Sequence, residues 1–320
     1  MLSKPILGLL VCFLATLPIN TKALAFDKQD SLATTHYIMA VMYDDFGQME
    51  DAIREYREAL KLDGKSAAIH LNLAAGLMKN NDSPGAIKEL EIVKQLEPDS
   101  AEPYAILALL YASQNKTELA TSEYQVALEK AAKLNPKSVD IYKNLGLVYL
   151  DQKKFKDAQN SFRMITALSP GDAEAHFYLG YIYSELKDSA LSEKEMKEAI
   201  RLKPDYAAAL NFLGYSYVEQ NQNLNQAETM IRKALEIEPN NGAYVDSLGW
   251  LYFKKSKFQD ALKYLEKAST LLVDQDIYDH LGDVYLKLNN RDKAKLNWEE
   301  SLKVSPDQEK VKDKIKKLGK

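Results

Sequence analysis

Apolar residues in this chain follow two different patterns. From about residue 33 to residue 308 they fall three and four apart, which gathers them on one face of a helix, and each such stretch closes at a proline or a polar turn. Before that region, Ile6 to Leu17 is almost continuously apolar. The periodic part repeats itself about every 34 residues. Four segments show it most plainly: YKNLGLVYLDQKKFKDAQNSF from Tyr142, HFYLGYIYSELKDSALSEKEM from His176, VDSLGWLYFKKSKFQDALKYL from Val245 and YDHLGDVYLKLNNRDKAKLNW from Tyr278. Each carries Leu-Gly and then an aromatic residue three positions after the glycine. Pro98, Pro136, Pro170, Pro204, Pro239 and Pro306 lack an amide donor and stop the preceding helix, while Asp99, Ser138, Asp172, Asp205 and Asn241 can cap the next one. The pattern predicts helix pairs in which a small residue on the first helix lets the second approach closely. One pair cannot bury its own apolar face, so pairs must stack on their neighbours and an end pair needs a polar cover.

With Leu-Gly or Leu-Ala, tyrosine, alanine and proline at fixed offsets, the chain resembles the tetratricopeptide repeat (TPR) family. The family spacing places eight repeats at 33–66, 67–100, 101–138, 139–172, 173–206, 207–241, 242–275 and 275–308, after a linker at 26–32 and before a basic capping helix at 309–320. The small position is Ala40, Ala74, Ala108, Gly146, Gly180, Gly214, Gly249 and Gly282. The ring position is Tyr43, Leu77, Tyr111, Tyr149, Tyr183, Tyr217, Tyr252 and Tyr285. On the second helices Ala52, Ala86, Ala120, Ala158, Ala227, Ala261 and Ala294 recur, with Ser192 as the exception. The third repeat has four extra residues before Pro136, the sixth has one in its Asn221–Asn225 turn, and Val273 replaces proline in the seventh; each departure is expected to bend the array, not break it. The resemblance implies an all-α, right-handed α-solenoid of about eight TPR helix–turn–helix units with a C-terminal capping helix, working as a non-catalytic protein-binding scaffold.

Composition changes the picture at the N-terminus. Lys4, the apolar run, Pro18 and then Ala23-Leu24-Ala25 read as a cleavable secretory signal peptide over residues 1–25, which predicts an exported, periplasmic or extracellular protein of bacterial type. The apolar run is short for a bilayer span, and no long uncharged stretch follows it. The single cysteine, Cys12, lies inside that run behind Leu10-Val11, without the small residue that lipoprotein signals place before the modified cysteine. A mature chain without cysteine carries no disulfides, so its stability must come from packing. The formal charge of −4 becomes −6 once Lys4 and Lys22 leave with the leader, which disfavours non-specific nucleic-acid binding.

In the family the first helices line a concave face. On the second and third repeats that face is aliphatic and small, as in Leu71, Ala75, Leu109 and Ala112. On the fifth to eighth it is aromatic and acidic: Phe177, Tyr181, Asn211, Tyr215, Asp246, Trp250, Phe253, Asp279 and Asp283. Rings offer contact area at little entropic cost and carboxylates pair with Lys or Arg, so the expected ligand is a peptide or protein segment with basic and apolar side chains. Two alternatives stay open. The same rings can pack between adjacent first helices and stiffen the array, and rings also stack on sugars, which fits a cell-envelope structural or carbohydrate-associated scaffold.

Candidate chemistry adds little. Gly64-Lys65-Ser66 lacks the glycine of a phosphate-binding loop, since Ala59 stands in its place. His36, His70 and His176 share one repeat position and His280 lies near it, but zinc needs more ligands close together, so no metal or cofactor is expected and the histidines read as large side chains at the core edge. The cationic residues with which a well-known subset of the family grips a C-terminal carboxylate are missing: Ala105, Leu109, Glu174 and Tyr178 occupy the relevant places. Asn81-Asp82-Ser83 and Asn115-Lys116-Thr117 match the N-glycosylation pattern in exposed turns, a chance match in a bacterial protein. The lysines of the last segment, Lys310, Lys312, Lys314, Lys316, Lys317 and Lys320, read as the solvated face of the capping helix, with an anion or membrane-surface patch as the other reading.

Overall fold

The computed structural model describes residues 28–318. The leader expected at 1–25 lies outside the described residues. Seventeen helices make up the described chain, and all but the last form antiparallel pairs. The pairs are α1 (Lys28–Asp45) with α2 (Met49–Leu62), α3 (Ala67–Lys79) with α4 (Ser83–Leu96), α5 (Glu102–Ser113) with α6 (Thr117–Leu134), and α7 (Val139–Asp151) with α8 (Phe155–Leu168). They continue as α9 (Ala173–Glu185) with α10 (Ser189–Leu202), α11 (Ala207–Glu219) with α12 (Leu224–Ile237), α13 (Gly242–Lys254) with α14 (Phe258–Leu271), and α15 (Gln275–Lys287) with α16 (Arg291–Val304); α17 (Glu309–Leu318) follows alone. This is the all-α solenoid of paired helices that the pattern predicts. Residues 28–32, expected as linker, are helical instead: Asp30 sits in the first turn, where a carboxylate favours the helix, and α1 extends through Leu32.

The chain divides into two compact halves, one up to Met164 and one from Ile165. In the N-terminal half, Ala40, Tyr56, Leu73, Leu77 and Leu90 anchor one core and Tyr124, Leu128, Ile141 and Leu145 another. In the C-terminal half the larger core runs from Met196 through Leu213, Ile231, Leu248, Leu265, Leu281 and Trp298 to Val311, and a smaller cluster joins Ala207, Leu210, Ala234 and Tyr244. The small positions act as expected. A side chain on Gly146 would come within 2.6 Å of the Phe162 ring, and one on Gly282 would run into the Trp298 ring. Gly76, two residues past the small position Ala74, is different, because a methyl group there would meet nothing closer than Ile53 Cγ1 at 3.6 Å. Gly282→Ala is therefore expected to cost about 1–3 kcal/mol by overpacking against a rigid indole. Gly76→Ala should gain about 0.5–1 kcal/mol, because alanine loses less backbone entropy in a helix. Urea denaturation of the two variants beside the parent checks the opposite signs.

Each proline stops its helix two residues early: α4 ends at Leu96 before Pro98, α6 at Leu134 before Pro136, and α12 at Ile237 before Pro239. The four extra residues of the third repeat lengthen α6 to 18 residues, where the other second helices have 14. Capping is more mixed than expected. Asp172 and Asn241 accept from the first-turn amides of α9 and α13, but Ala101 and Tyr206 stand at the N-caps of α5 and α11, leaving Asp99 and Asp205 one or two residues too early. Asp82, Asp188 and Asn290 cap second helices.

The turn inside every pair holds a residue in the left-handed region, Gly47, Asn81, Asn115, Lys153, Lys187, Asn221, Ser256 and Asn289 with φ between 52° and 73°, and the longer sixth turn holds a second, Asn223 at 49°. Asparagine tolerates that conformation better than most residues. This accounts for Asn81 and Asn115, whose glycosylation-like triplets follow from turn geometry. Lysine has no such tolerance, so Lys187→Gly (φ 64°) should stabilise the protein by about 0.5–1 kcal/mol, read as a shift in the denaturation midpoint.

Candidate functional site

Spacing alone puts the candidate residues on common faces. Phe177 and Tyr181 lie one turn apart on α9, Asn211 and Tyr215 on α11, Asp246, Trp250 and Phe253 on α13, and Asp279 and Asp283 on α15. All four are first helices of their pairs, and all lie in the C-terminal half. Rings link them from helix to helix. Phe177 meets Tyr206 at 5.1 Å between centroids and Phe212 at 6.4 Å, and Tyr181 meets Phe212 at 6.2 Å edge to face. Phe212, Tyr206 and Tyr178 belong to this cluster although none of them was among the groove candidates; the ring content of the adjacent positions was the available signal.

The residues differ in how open they are. Phe177, Tyr181, Asn211, Tyr215 and Phe253 are half-buried, whereas Trp250 and Asp246 are each only 7% exposed. The Trp250 ring lies parallel to Phe253 at 4.5 Å and to the His280 imidazole at 3.9 Å, its Nε1 donates to Glu219, and Lys254 Nζ stands 4.9 Å from its centroid. Asp246 holds His280 Nδ1 at 2.9 Å. Trp250 and Asp246 therefore join first helices together and are not free for a ligand. Burial opposes charge on His280, but the carboxylates of Asp246, Asp279 and Asp276 outweigh it and raise its pKa above the ordinary imidazole value. Burial, helped by Glu219, Asp246 and Asp276, pushes the Tyr215 hydroxyl well above the usual phenol range and keeps it a neutral hydrogen-bonding group.

Asp279 and Asp283 already have a basic partner within the chain. Lys314 Nζ on α17 donates to both oxygens of Asp279 at 2.7 and 2.8 Å and to Asp283 at 2.8 Å, and it stands 5.9 Å from the Trp298 ring centroid. Trp298 Nε1 donates to Asp283 as well. Burial raises the Asp283 pKa and the Lys314 contact works against that rise. Val311 is buried, Ile315 and Leu318 pack on the same core, and Arg291 donates to the Leu318 carbonyl, so α17 covers the end of the solenoid. A cleft of about 420 Å³ remains beside it, lined by Phe253, Asp283, Leu286, Trp298, Lys317 and Leu318 among others. One polar group on this face is unsatisfied. Asn211 Oδ1 is buried and has no hydrogen-bond partner among the described residues.

The histidines turn out to be paired. His36, His70 and His176 each place Nδ1 on the glutamate nineteen residues later, Glu55, Glu89 and Glu195, at 2.6–2.7 Å, clamping the two helices of a repeat together. The reading of these histidines as bulky core-edge residues missed this; the recurring His-to-Glu spacing was the signal. Among the described residues no group of three or more His, Cys, Asp or Glu side chains is gathered for a metal ion, and no helix is long and apolar enough to cross a membrane.

Family models described as tetratricopeptide repeat match residues 45–110, 107–171, 143–207, 207–241 and 275–308. A TPR repeat-containing protein of Pseudomonas aeruginosa is 34% identical over 58 residues, which is 18% of this chain and 10% of that protein. The anaphase-promoting complex subunit CDC16 of Saccharomyces cerevisiae is 38% identical over 79 residues, 22% of this chain and 9% of its own. Each match thus spans about a tenth of the relative. A solved tetratricopeptide repeat protein from Parabacteroides merdae superposes with a TM-score of 0.58 at 18% identity, covering 80% of this chain and 99% of that one, a likeness of fold alone. The helix pairs, the small-residue contacts between them and the repeat models that tile most of the sequence agree: this chain belongs to the tetratricopeptide repeat family.

Proposed function

We propose that this protein is an exported, non-catalytic scaffold that binds a peptide or protein segment carrying basic and apolar side chains along the first helices of its C-terminal half. The observation that carries the reading is Lys314. An ammonium held by Asp279 and Asp283 beside an indole occurs here within the chain, and a ligand's basic side chain making the same contact takes the place of Lys314. On the preceding first helices α9 and α11, Phe177, Tyr181 and Tyr215 present half-buried rings, and the half-buried Asn211 lies among them with its amide oxygen unpartnered in the chain. Export rests on the composition of residues 1–25.

Binding is tested by probing the chain with an array of Lys/Arg-rich apolar peptides, acidic control peptides and glycan polymers, alongside the double variant Tyr181→Ala/Asn211→Leu. The basic apolar peptides should bind, and the variant should weaken them about tenfold or more, the loss of roughly one well-placed contact. Binding of glycans alone, or peptide binding that the folded variant retains in full, overturns the reading. Cell fractionation with N-terminal sequencing tests export, which predicts a chain beginning near Phe26 outside the cytoplasm.

A further inference from the structure

The two ends of the solenoid are finished differently. At the C-terminal end α17 buries Val311 and turns Lys310, Lys312, Lys316 and Lys317 to solvent. At the other end α1 buries Ala33 and Ala40 and packs Tyr37, Val41 and Tyr43 inward, yet its outer face is apolar. Leu32 is 51% exposed, Met42 53% and Phe46, just past the helix end, 75%; Ile38 and Met39 are exposed as well. Among the described residues no polar segment gives this face the cover that a solenoid terminus needs.

The spacing of that face says what kind of surface covers it. Leu32, Thr35, Met39, Met42 and Phe46 follow one another at intervals of three and four, an unbroken heptad seam. Thr35 fits the seam because its hydroxyl donates back to the Ser31 carbonyl at 2.8 Å, leaving its methyl group outward. A seam of this period takes another helix as its partner. Stacking this end on the opposite end of a second molecule is disfavoured, since that end is closed by lysines. Pairing like with like remains, and the seam is centred for it: Leu32 and Phe46 lie seven residues to either side of Met39. Charge sets the direction. α1 has Asp30 in its first turn, Asp44 and Asp45 at its end and no basic residue in its last turn. Asp44 is held by Lys79 Nζ at 2.6 Å, so the direction is set by the helix dipoles: a parallel pair sets like ends together, whereas an antiparallel pair sets the negative C-terminal end of each helix by the positive N-terminal end of the other.

We propose that α1 is a dimer interface, on which a second copy of this chain packs its own α1 antiparallel about a twofold axis near Met39. A two-helix seam lies at the small end of stable interfaces, so the dissociation constant should be on the order of ten micromolar. Sedimentation equilibrium across that range, on the full chain and on the chain from Phe26, is expected to show a dimer in both. Met39→Glu/Met42→Glu should weaken it by about a hundredfold with helix content unchanged, because both side chains are exposed in the monomer. In a Cys12→Ser background, Met39→Cys should oxidise to a disulfide-linked dimer, and Leu32→Cys, held far from its copy by the antiparallel arrangement, should not. A monomer in both chains overturns the proposal. So does a dimer that survives the double glutamate variant, one that disappears with residues 1–25, or a crosslink through Cys at 32 and not at 39.

Discussion

Trp250→Ala is expected to destabilise the protein by about 3–5 kcal/mol, the usual cost of removing a buried tryptophan and leaving its cavity. The ring is 7% exposed and stacks on Phe253 within α13 and on His280 of α15, while its Nε1 reaches Glu219 of α11. One side chain thus ties three consecutive first helices. In a repeat array stability is close to a sum of repeat terms and nearest-neighbour interfaces, so this truncation weakens two interfaces at once. Thermal unfolding followed by circular dichroism should show a midpoint lowered by roughly 10 °C, with the C-terminal half losing structure first. Trp250→Phe, which keeps a flat ring in the stack, should lose about 1–2 kcal/mol, less than half the effect. An alanine variant as stable as the parent would show that the indole is not part of the packing. The burial also bears on binding experiments, because ligand loss in Trp250→Ala would follow from damage to the fold. Tyr181 and Asn211, half-buried and less deeply packed, are cleaner probes.

How far the sequence could be read depended on the range of the interaction. The helix pairs, the prolines that end them and the glycines under Phe162 and Trp298 were legible because each is set by neighbours at a fixed offset within one repeat. Caps were legible only in part: Asp172 and Asn241 lie at the right offset, and Asp99 and Asp205 miss by one or two residues, a margin that periodicity does not resolve. The candidate site was the least legible. Its residues were correctly placed on first helices, but the openness of each depends on contacts between repeats. Trp250 is closed off by His280, thirty residues on, and Asp279 and Asp283 are engaged by Lys314 from a helix read only as a cap. The left-handed turn position recurs in all eight repeats, yet it appears as asparagine, lysine, serine and glycine, so the backbone repeats where the residue type does not.

Asp246→Asn is expected to destabilise the protein in a pH-dependent way, most at mildly acidic pH. The Asp246 carboxylate holds His280 Nδ1 at 2.9 Å, and both side chains are buried. The folded-state pKa of His280 lies above its unfolded value of about 6.5. A group raised in this way contributes stability that is fully present below the unfolded pKa and is lost as pH rises through the folded one. At pH 5.5 the pair is imidazolium and carboxylate, and removing one partner of a buried ion pair costs about 3–5 kcal/mol at most, less here because His280 can shed its proton. Once pH has risen through the folded-state pKa, the pair is a neutral imidazole donating to a carboxylate, a hydrogen bond worth about 1.5–3 kcal/mol. The other titratable groups that act on the ring are Asp276, Asp279 and Asp283, with Tyr215 beside Asp246 and Asp276. Asp276 and Asp283 have pKa values raised by burial, so they add a dependence of their own at low pH, and Tyr215 titrates above the window. Comparing parent and variant by urea denaturation between pH 5.5 and pH 9 isolates His280. The stability difference should be largest at pH 5.5 and shrink as pH rises through the raised value of His280, whereas a difference constant across that rise would mean that the His280 charge contributes nothing to holding α13 against α15.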